Sequence, residues 1–269
     1  MPLYQFTFQR ATFVVPLRAL SASLADTTVE LPHPTPLILG LGSILAYIAL
    51  VALWPRSRHS SRSGGGYAHH VALCLYSLLA FSAALYHLVT AGELTSLRAY
   101  ACAPVPAWLR LVSLTFTVSK VWEWGDTLVM IERGDSLAKI GVLHLYHHAT
   151  TFLLFLDVVN FAGTEKSGML LNGFVHTLMY AHYAWRLPKA VRPLITAAQI
   201  VQLAGTTWLW HVTPELCPVY AAFPREHPVE FALPYALVPV YLAFFMKFFY
   251  ENYVARGAKK EGETRKKVE

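Results

Sequence analysis

Long apolar stretches recur along the chain and restrict its fold more than any other feature. Seven stretches have about 20 mostly apolar residues, the length that crosses the hydrocarbon core of a bilayer. They lie near residues 35–54, 68–90, 108–130, 138–158, 167–186, 192–211 and 230–251. Charged residues are only 14% of the chain, against roughly a quarter in a soluble domain, and this deficit together with the apolar stretches indicates an integral membrane protein. The sequence therefore predicts one all-α integral membrane domain with seven transmembrane helices.

The placement of Lys and Arg predicts how this domain is oriented. They concentrate in the connectors near residues 55–66, 131–139 and 186–192 and in the C-terminal tail, and such segments stay on the cytosolic side. Residues 1–33 hold no continuous apolar core followed by a cleavage site, so no cleavable signal peptide is expected. The predicted parts are a non-cytosolic segment (1–34), a seven-helix membrane domain (35–251) and a basic cytosolic tail (252–269).

The three cysteines exclude some kinds of site but leave their own pairing open. Cys74, Cys102 and Cys217 show no metal-ligand spacing, which excludes a zinc ribbon or a disulfide framework. The predicted topology places Cys102 and Cys217 on the same, non-cytosolic face. If that face is oxidising they can form one disulfide, and two unpaired thiols are the alternative.

Polar side chains inside the predicted spans form four groups. Charged residues are rare at membrane depth because their burial is costly, so they are functional candidates by default. A rotation of about 100° per residue places the members of each group on one helix face. The groups are Lys120, Glu123, Asp126 and Thr127 in KVWEWGDT; His144, His147 and His148 in HLYHH; Asn172, His176, Met179, Tyr180 and Tyr183 in NGFVHTLMYAHY; and Thr196, Gln199 and Gln202 in TAAQIVQ.

Each group also has a purely structural explanation. A buried pair between Lys120 and a carboxylate can fix helix packing, and glutamines can bond between helices. Two carboxylates with one lysine leave an unbalanced charge, however, which favours a functional site. His182 lies off the inward face of its span, so we expect it to pack at an interface. We expect interface or solvated positions for His69 and His70.

The HxxHH pattern is used by two classes of membrane enzyme. Di-iron desaturases and hydroxylases need several such boxes, whereas this chain has one box, with His176 and His182 as nearby additional ligands. A single zinc held by box histidines and His176 is an alternative that spacing alone leaves open. The other class uses histidine as a nucleophile and as an acid or base. No cysteine lies near these groups, and no serine forms a nucleophile elbow beside a histidine.

At these four motifs the sequence strongly resembles the ELO family of very-long-chain fatty acid elongases, the 3-ketoacyl-CoA synthases of the endoplasmic reticulum. The family patterns KxxExxDT, HxxHH, NxxxHxxMYxxY and TxxQxxQ all occur, in the family order and spacing, and the resemblance covers about residues 35–255. One departure is His182, where the family usually has tyrosine.

The resemblance implies a seven-helix barrel around a narrow acyl tunnel. The implied reaction condenses an acyl-CoA with malonyl-CoA to a 3-ketoacyl-CoA, CO2 and CoA, with no cofactor and no metal. His147 would be the nucleophile, and His176 would assist decarboxylation or proton transfer. His144, His148, Glu123, Asp126 and Asn172 would order the catalytic chamber. The residues implied to contact CoA or the acyl group are Lys120, Thr127, Tyr180, Tyr183, Gln199 and Gln202.

The resemblance also implies a place in the cell and partners. The final residues KKVE fit a dilysine signal for retrieval to the endoplasmic reticulum membrane, with the tail in the cytosol. The expected partners are acyl-CoA, malonyl-CoA, membrane lipid and the two reductases and dehydratase of the elongation cycle. A homo-oligomer is compatible with the sequence, and no nucleic acid is expected. The alternatives from other classes are a di-iron desaturase or hydroxylase and a proton-coupled lipid transporter.

Overall fold

The described part of the protein is helical throughout. The computed structural model describes residues 35–55 and 64–255. The predicted segment 1–34, most of the first basic connector and the KKVE signal lie outside the described residues. The α-helices are α1 (Thr35–Leu53), α2 (Gly64–Thr90), α3 (Leu97–Cys102), α4 (Ala107–Trp122), α5 (Trp124–Glu132), α6 (Leu137–Ile140), α7 (Val142–Val158), α8 (Ala162–Ser167), α9 (Gly173–Trp185), α10 (Val191–Leu216), α11 (Phe223–Glu226) and α12 (Pro228–Phe249). The predicted all-α fold is confirmed over these residues.

Among the described residues, three helical stretches are long and apolar enough to cross a membrane. They are Thr35–Leu53, Gly66–Thr90 and Pro228–Val254. Large apolar side chains cover their outer surfaces, as at Leu45, which is 70% exposed. Such apolar outer surfaces are typical of helices that face lipid. The three stretches coincide with the first, second and seventh predicted spans, and the last one extends past the predicted end at residue 251.

The other four predicted spans are also helical, but three of them are interrupted. The third is divided at Glu123 into α4 and α5, and the fourth is divided at Gly141 into α6 and α7. The fifth begins at Ser167, the last residue of α8, and continues through the π-helical segment Gly168–Asn172 into α9. The sixth is α10, which is long enough to span but contains several glutamines and threonines. Because the breaks shorten each continuous apolar helix, the count of seven spans stays a prediction.

The three interruptions have local causes, and each adjoins a polar motif. At Glu123 the turn tightens, because the Asp126 N–H donates to the Glu123 carbonyl only three residues back (3.0 Å). Gly141 has φ 87°, a backbone conformation that favours glycine, and it precedes the histidine box. The π-helical segment has a wider turn than an α-helix and ends at Asn172. The breaks therefore set the directions in which the motif side chains point.

Close approaches at glycines bring the motif-bearing helices together. A Cβ at Gly173, the first residue of α9, would lie 3.1 Å from the Ser77 carbonyl oxygen of α2. A Cβ at Gly40 of α1 would lie 2.3 Å from Leu153 Cδ1 of α7. The pairs α2–α9 and α1–α7 accordingly share the most extensive helix contacts. These two pairs carry the third motif and the histidine box.

A disulfide links two connectors at one end of the bundle. Cys102, the last residue of α3, is bonded to Cys217, which follows α10. Of the two alternatives that the sequence left open, the disulfide is confirmed. Cys74 is a free, buried thiol.

A buried ion network lies beside this disulfide. Lys166 of α8 is 0% exposed, and its Nζ donates to a Glu93 carboxylate oxygen and to the Ala103 carbonyl (2.9 Å). His87 Nε2 lies 3.0 Å from the other Glu93 carboxylate oxygen. The network ties α8 to the chain between α2 and α3.

We expect Lys166→Met to lower the free energy of unfolding by about 3–5 kcal/mol, because it leaves the Glu93 carboxylate buried without its ammonium partner. The matched control is Lys139→Met, since the Lys139 side chain is 72% exposed in its pair with Asp135. Its loss should cost less than about 1 kcal/mol. Unfolding in detergent micelles measures both variants, and equal losses would contradict a stabilising role for the buried network.

Candidate active site

Side chains on both sides of the α4–α5 break form the centre of a buried polar site. Lys120, Glu123, Asp126 and Thr127 are each at most 4% exposed, as their shared helix face predicted. Each of them contacts a different set of partners, so the site divides into three connected clusters. We define these as the lysine cluster (Lys120, Glu123, Asn172, His176), the aspartate cluster (Asp126, His69, His70, Tyr180, Tyr183) and the histidine cluster (Tyr47, Thr127, His144, His147, His148).

The lysine cluster fixes one ammonium group between charged, amide and aromatic partners. Lys120 Nζ donates to Glu123 Oε1 (2.6 Å) and to Asn172 Oδ1 (2.8 Å). The same nitrogen lies 4.3 Å from the ring centre of Phe116 and 4.7 Å from that of Phe155, within range of cation–π attraction. The ammonium is therefore held in one place, and its charge is directed at the carboxylate and the amide.

Two groups in the lysine cluster keep free hydrogen-bonding capacity. His176 Nδ1 lies 3.2 Å from Glu123 Oε1, which is an ion-pair distance, but the ring is not aligned for a hydrogen bond. Glu123 Oε2 has no hydrogen-bond partner within residues 35–55 and 64–255. A buried imidazole nitrogen and a buried carboxylate oxygen are thus available to a substrate, and together they can move a proton.

The aspartate cluster surrounds one buried carboxylate. His69 Nε2 donates to Asp126 Oδ1 at 2.9 Å, and His70 Nε2 lies 3.6 Å from the same oxygen. The Tyr180 hydroxyl donates to Asp126 Oδ2 at 2.7 Å. The Tyr183 ring lies 5.3 Å from the His70 ring and is 48% exposed, so it borders the cluster rather than lying within it.

The expected interface or solvated positions of His69 and His70 are wrong. His70 is only 6% exposed, and both imidazoles lie against the Asp126 carboxylate. They belong to α2, and the first turns of α2 pack beside α5 and α9. The two imidazoles are therefore partners for the Asp126 carboxylate, whose charge Lys120 does not balance. The sequence signal that could have predicted this site was the pair of ionisable residues at the start of an otherwise apolar helix.

The histidine cluster is a hydrogen-bonded and stacked row of side chains. Thr127 Oγ1 is hydrogen-bonded to the Tyr47 hydroxyl (2.8 Å) and to His144 Nε2 (2.9 Å). The His144 ring centre lies 4.2 Å from that of His148, which in turn lies 5.6 Å from that of His147. Tyr47 belongs to α1 and to none of the four motifs, so sequence reasoning missed it. This row connects the first motif to the histidine box.

His147 differs from the other two box histidines. Its Nδ1 is buried without a hydrogen-bond partner in the described part of the chain, and its ring packs edge-on against Tyr241 (5.2 Å) and Phe245 (6.2 Å). His144 is already hydrogen-bonded, and His148 is only 6% exposed, whereas His147 is half-buried. His148 Nδ1 likewise has no partner among the described residues, so His147 is the half-buried one of the two box histidines that keep an unengaged ring nitrogen.

The fourth motif borders a cavity instead of joining the clusters directly. Thr196 is buried and Gln199 is half-buried on α10. Gln202 lines a partly open cavity with a volume of about 40 Å³. Its other walls are mostly apolar and include Leu154, Phe155, Val158, Trp210, Pro234 and Val238. Because the Phe155 ring also contacts the Lys120 ammonium, this cavity adjoins the lysine cluster.

His182 lies outside the clusters, as its position off the inward helix face predicted. Its Nε2 accepts a hydrogen bond from Arg192 Nε at 3.1 Å. Within the ranges that the structure covers, no three His, Cys, Asp or Glu side chains are grouped so that they could hold a metal ion.

The fold and the site together define a class of protein. Its members are all-helical membrane proteins in which an HxxHH box adjoins a buried Lys–Glu–Asn–His cluster. The chain belongs to the ELO family, described as the GNS1/SUR4 family, which matches residues 33–261. The resemblance recognised at the four motifs is thereby confirmed.

Several proteins of this family are similar to the chain. Putative fatty acid elongase 4 of Caenorhabditis elegans is 29% identical over 175 residues, 60% of this chain and 56% of the relative. Very long chain fatty acid elongase 5 of Mus musculus is 32% identical over 151 residues, 52% of this chain and 47% of the relative. Fatty acid elongase 6 of Leishmania major is 31% identical over 215 residues, 76% of this chain and 54% of the relative. The chain thus spans about half the length of the curated relatives it matches.

Proposed function

We propose that the protein is a fatty acid elongase that condenses a fatty acyl-CoA with malonyl-CoA to give a 3-ketoacyl-CoA, CO2 and CoA. The observation that carries this proposal is the buried His147 Nδ1, which has no hydrogen-bond partner among the described residues, in a bundle that also buries the Lys120–Glu123 pair and the His176 imidazole. Membership of the ELO family and the relatives named as fatty acid elongases support it. In this role the protein is a 3-oxoacyl-CoA synthase, an acyltransferase that performs the first step of the elongation cycle.

His147 is the proposed nucleophile. One of its ring nitrogens attacks the thioester carbonyl, the carbon–sulfur bond breaks, and CoA leaves with the proton that the imidazole loses. The product is an acyl-imidazole on the enzyme. His144 and His148 hold the ring in position through the row that begins at Tyr47 and Thr127.

The lysine cluster serves the second half of the reaction. Malonyl-CoA loses CO2, and the electron pair of the broken carbon–carbon bond forms an enolate that attacks the acyl-imidazole carbon. The imidazole leaves and regains a proton. Lys120 and Asn172 lie where hydrogen-bond donors can stabilise the developing negative charge in a site of low dielectric. His176, paired with Glu123, supplies the proton-transfer group.

The cavity beside Gln202 is the proposed binding site for the far end of the acyl chain. Its apolar walls suit methylene groups, and the Phe155 ring joins it to the lysine cluster. From Gln202 to Trp210 the α10 helix rises about 12 Å along the cavity. Trp210 is 1% exposed, and its Nε1 donates to the Phe231 carbonyl at 3.1 Å, so a fixed indole closes that end. In this proposal the seven spans enclose a tunnel of which this cavity is the closed end.

The same proposal includes an orientation and a cellular location. With the tail in the cytosol, Arg133 at the end of α5 and Arg192 at the start of α10 lie on the side where CoA enters. Their charge suits a substrate that carries phosphate groups. The protein would reside in the endoplasmic reticulum membrane and pass its product to the reductases and dehydratase of the cycle.

Radiolabelled malonyl-CoA and a ladder of acyl-CoA lengths, added to membranes that contain the protein, test the reaction. We expect the label to enter a lipid product that is longer by one two-carbon unit. Uptake of substrate without incorporation would identify a transporter. Modification at unchanged chain length with consumption of oxygen would identify a desaturase or hydroxylase. Either result would refute the proposal.

His147→Ala should reduce turnover by a factor on the order of 10³ or more, because removal of a nucleophile leaves only binding and electrostatic contributions. Intact-mass analysis after incubation with acyl-CoA alone should show a covalent acyl adduct on the wild type and none on the variant. His211→Ala, at an exposed position of α10, is the matched control and should retain activity. Full turnover by His147→Ala would rule out this nucleophile.

Trp210→Leu should extend the longest product by one or more two-carbon units, because it opens the closed end of the cavity. Trp208→Leu is the matched control, since Trp208 lies on the same helix but is 54% exposed. Thr206→Leu, which fills the cavity, should shorten the products. Chromatography of the products across the acyl-CoA ladder makes the comparison. An unchanged length profile in both Trp210→Leu and Thr206→Leu would show that the cavity does not hold the acyl chain.

A further inference from the structure

A glycine in the first motif leaves room for a histidine from another helix. Gly125 of α5 directly precedes Asp126, at a position that the pattern KxxExxDT does not specify. A Cβ added at Gly125 would lie 2.6 Å from Cε1 of His69 and 3.1 Å from both ring nitrogens. The His69 imidazole therefore rests directly on the helix backbone, in the space that any other residue would fill with its own side chain.

From this position His69 reaches the Asp126 carboxylate with its orientation fixed by packing. Its Nε2 lies 2.9 Å from Asp126 Oδ1. Its ring meets the ring of Trp122 edge-on with centres 6.2 Å apart, and that of His70 with centres 5.6 Å apart. A donor whose rotamer is locked in this way holds its acceptor more accurately than a mobile one.

The Asp126 carboxylate needs such donors because it is only 4% exposed. Burial of an ionised carboxylate is costly unless hydrogen bonds replace its lost hydration. The Lys120 ammonium bonds to Glu123 instead, so Asp126 depends on groups from other helices. His69 occupies Oδ1 and Tyr180 occupies Oδ2. Among the described residues, removal of the His69 imidazole leaves Oδ1 with only His70 Nε2 nearby, at 3.6 Å and beyond hydrogen-bond distance.

We propose that His69, seated on Gly125, is a positioning residue for the condensation reaction. His69 orients the Asp126 carboxylate, and that carboxylate holds the Tyr180 hydroxyl. The Tyr180 ring in turn meets the His176 imidazole edge-on, with centres 5.6 Å apart. His69 thus acts on His176 through two intermediate side chains and touches no substrate itself. This inference rests on the proposed function, in which His176 transfers a proton.

Two substitutions of His69 separate positioning from folding. His69→Leu removes the donor, and His69→Gln keeps an amide donor on a side chain of similar reach. We expect His69→Leu to lower kcat by about tenfold or more, as losses of supporting hydrogen bonds do at other sites, with KM for malonyl-CoA little changed. His69→Gln should recover part of the loss. His211→Leu, at an exposed position, is the control.

Substitution of Gly125 tests whether its missing side chain serves His69. Gly125→Ala should displace the imidazole and reproduce the kcat loss of His69→Leu. Gly205→Ala, on α10, is the control because a Cβ there would meet nothing within 4 Å. In a His69→Ala background the ring is gone, so Gly125→Ala should add little further loss of kcat or of thermal midpoint. If the kcat losses of Gly125→Ala and His69→Ala add in the double variant, the proposal that Gly125 makes room for His69 is wrong.

The possible results distinguish this inference from the proposed function. Failure of the wild type to condense acyl-CoA with malonyl-CoA would refute the proposed function, and this inference with it. With an active wild type, full kcat per folded molecule in His69→Leu would refute the inference alone. The same holds if His69→Gln is no better than His69→Leu, since the donor would then have no role. Size-exclusion chromatography and the thermal midpoint in micelles measure the folded fraction.

Discussion

Two carboxylates lie within one turn of helix inside an apolar bundle, and the arrangement of the surrounding helices follows from their need for partners. Glu123 is paired with Lys120 and lies next to His176, while Asp126 accepts hydrogen bonds from His69 and Tyr180. These partners come from α2, α4 and α9. An ionised group that lost them would be buried at a large cost, so the packing of the bundle and the geometry of the site are one constraint.

The separation of roles among the histidines follows from the same packing. His144 is hydrogen-bonded to Thr127, and both His147 and His148 have an Nδ1 without a hydrogen-bond partner among the described residues. Of these two, His148 is only 6% exposed and His147 is half-buried. The Phe155 ring separates the lysine cluster from the apolar cavity, yet it contacts the ammonium of Lys120 and lines the cavity. A single side chain thus forms the boundary between the charged and the apolar parts of the site.

Helical periodicity predicted the inward faces of the motifs but could not predict their partners across helices. Burial of Lys120 and His176 follows from the spacing of polar residues within each motif, and this part was confirmed. The contact of His69 with Asp126 depends on how α2 packs against α5, which no pattern within one helix reports. Gly125 was a readable signal, since a glycine inside a helix often marks a close approach. The break at Glu123 was not readable, because hydropathy averaged over a whole span does not respond to one residue.

The π-helical segment Gly168–Asn172 joins α8 to α9 and sets the rotation of one helix relative to the other about their common axis. Before it, α8 directs Lys166 toward Glu93, and after it, α9 directs His176 toward the first motif. A uniform α-helix turns by about 100° per residue and would point Lys166 and His176 in directions that do not match their partners. The wider π turn changes the rotation between the two helices and corrects this angle. The number of residues in this segment therefore matters even where their identity does not. Deleting one uncharged residue from this segment would rotate Lys166 away from the Glu93 carboxylate.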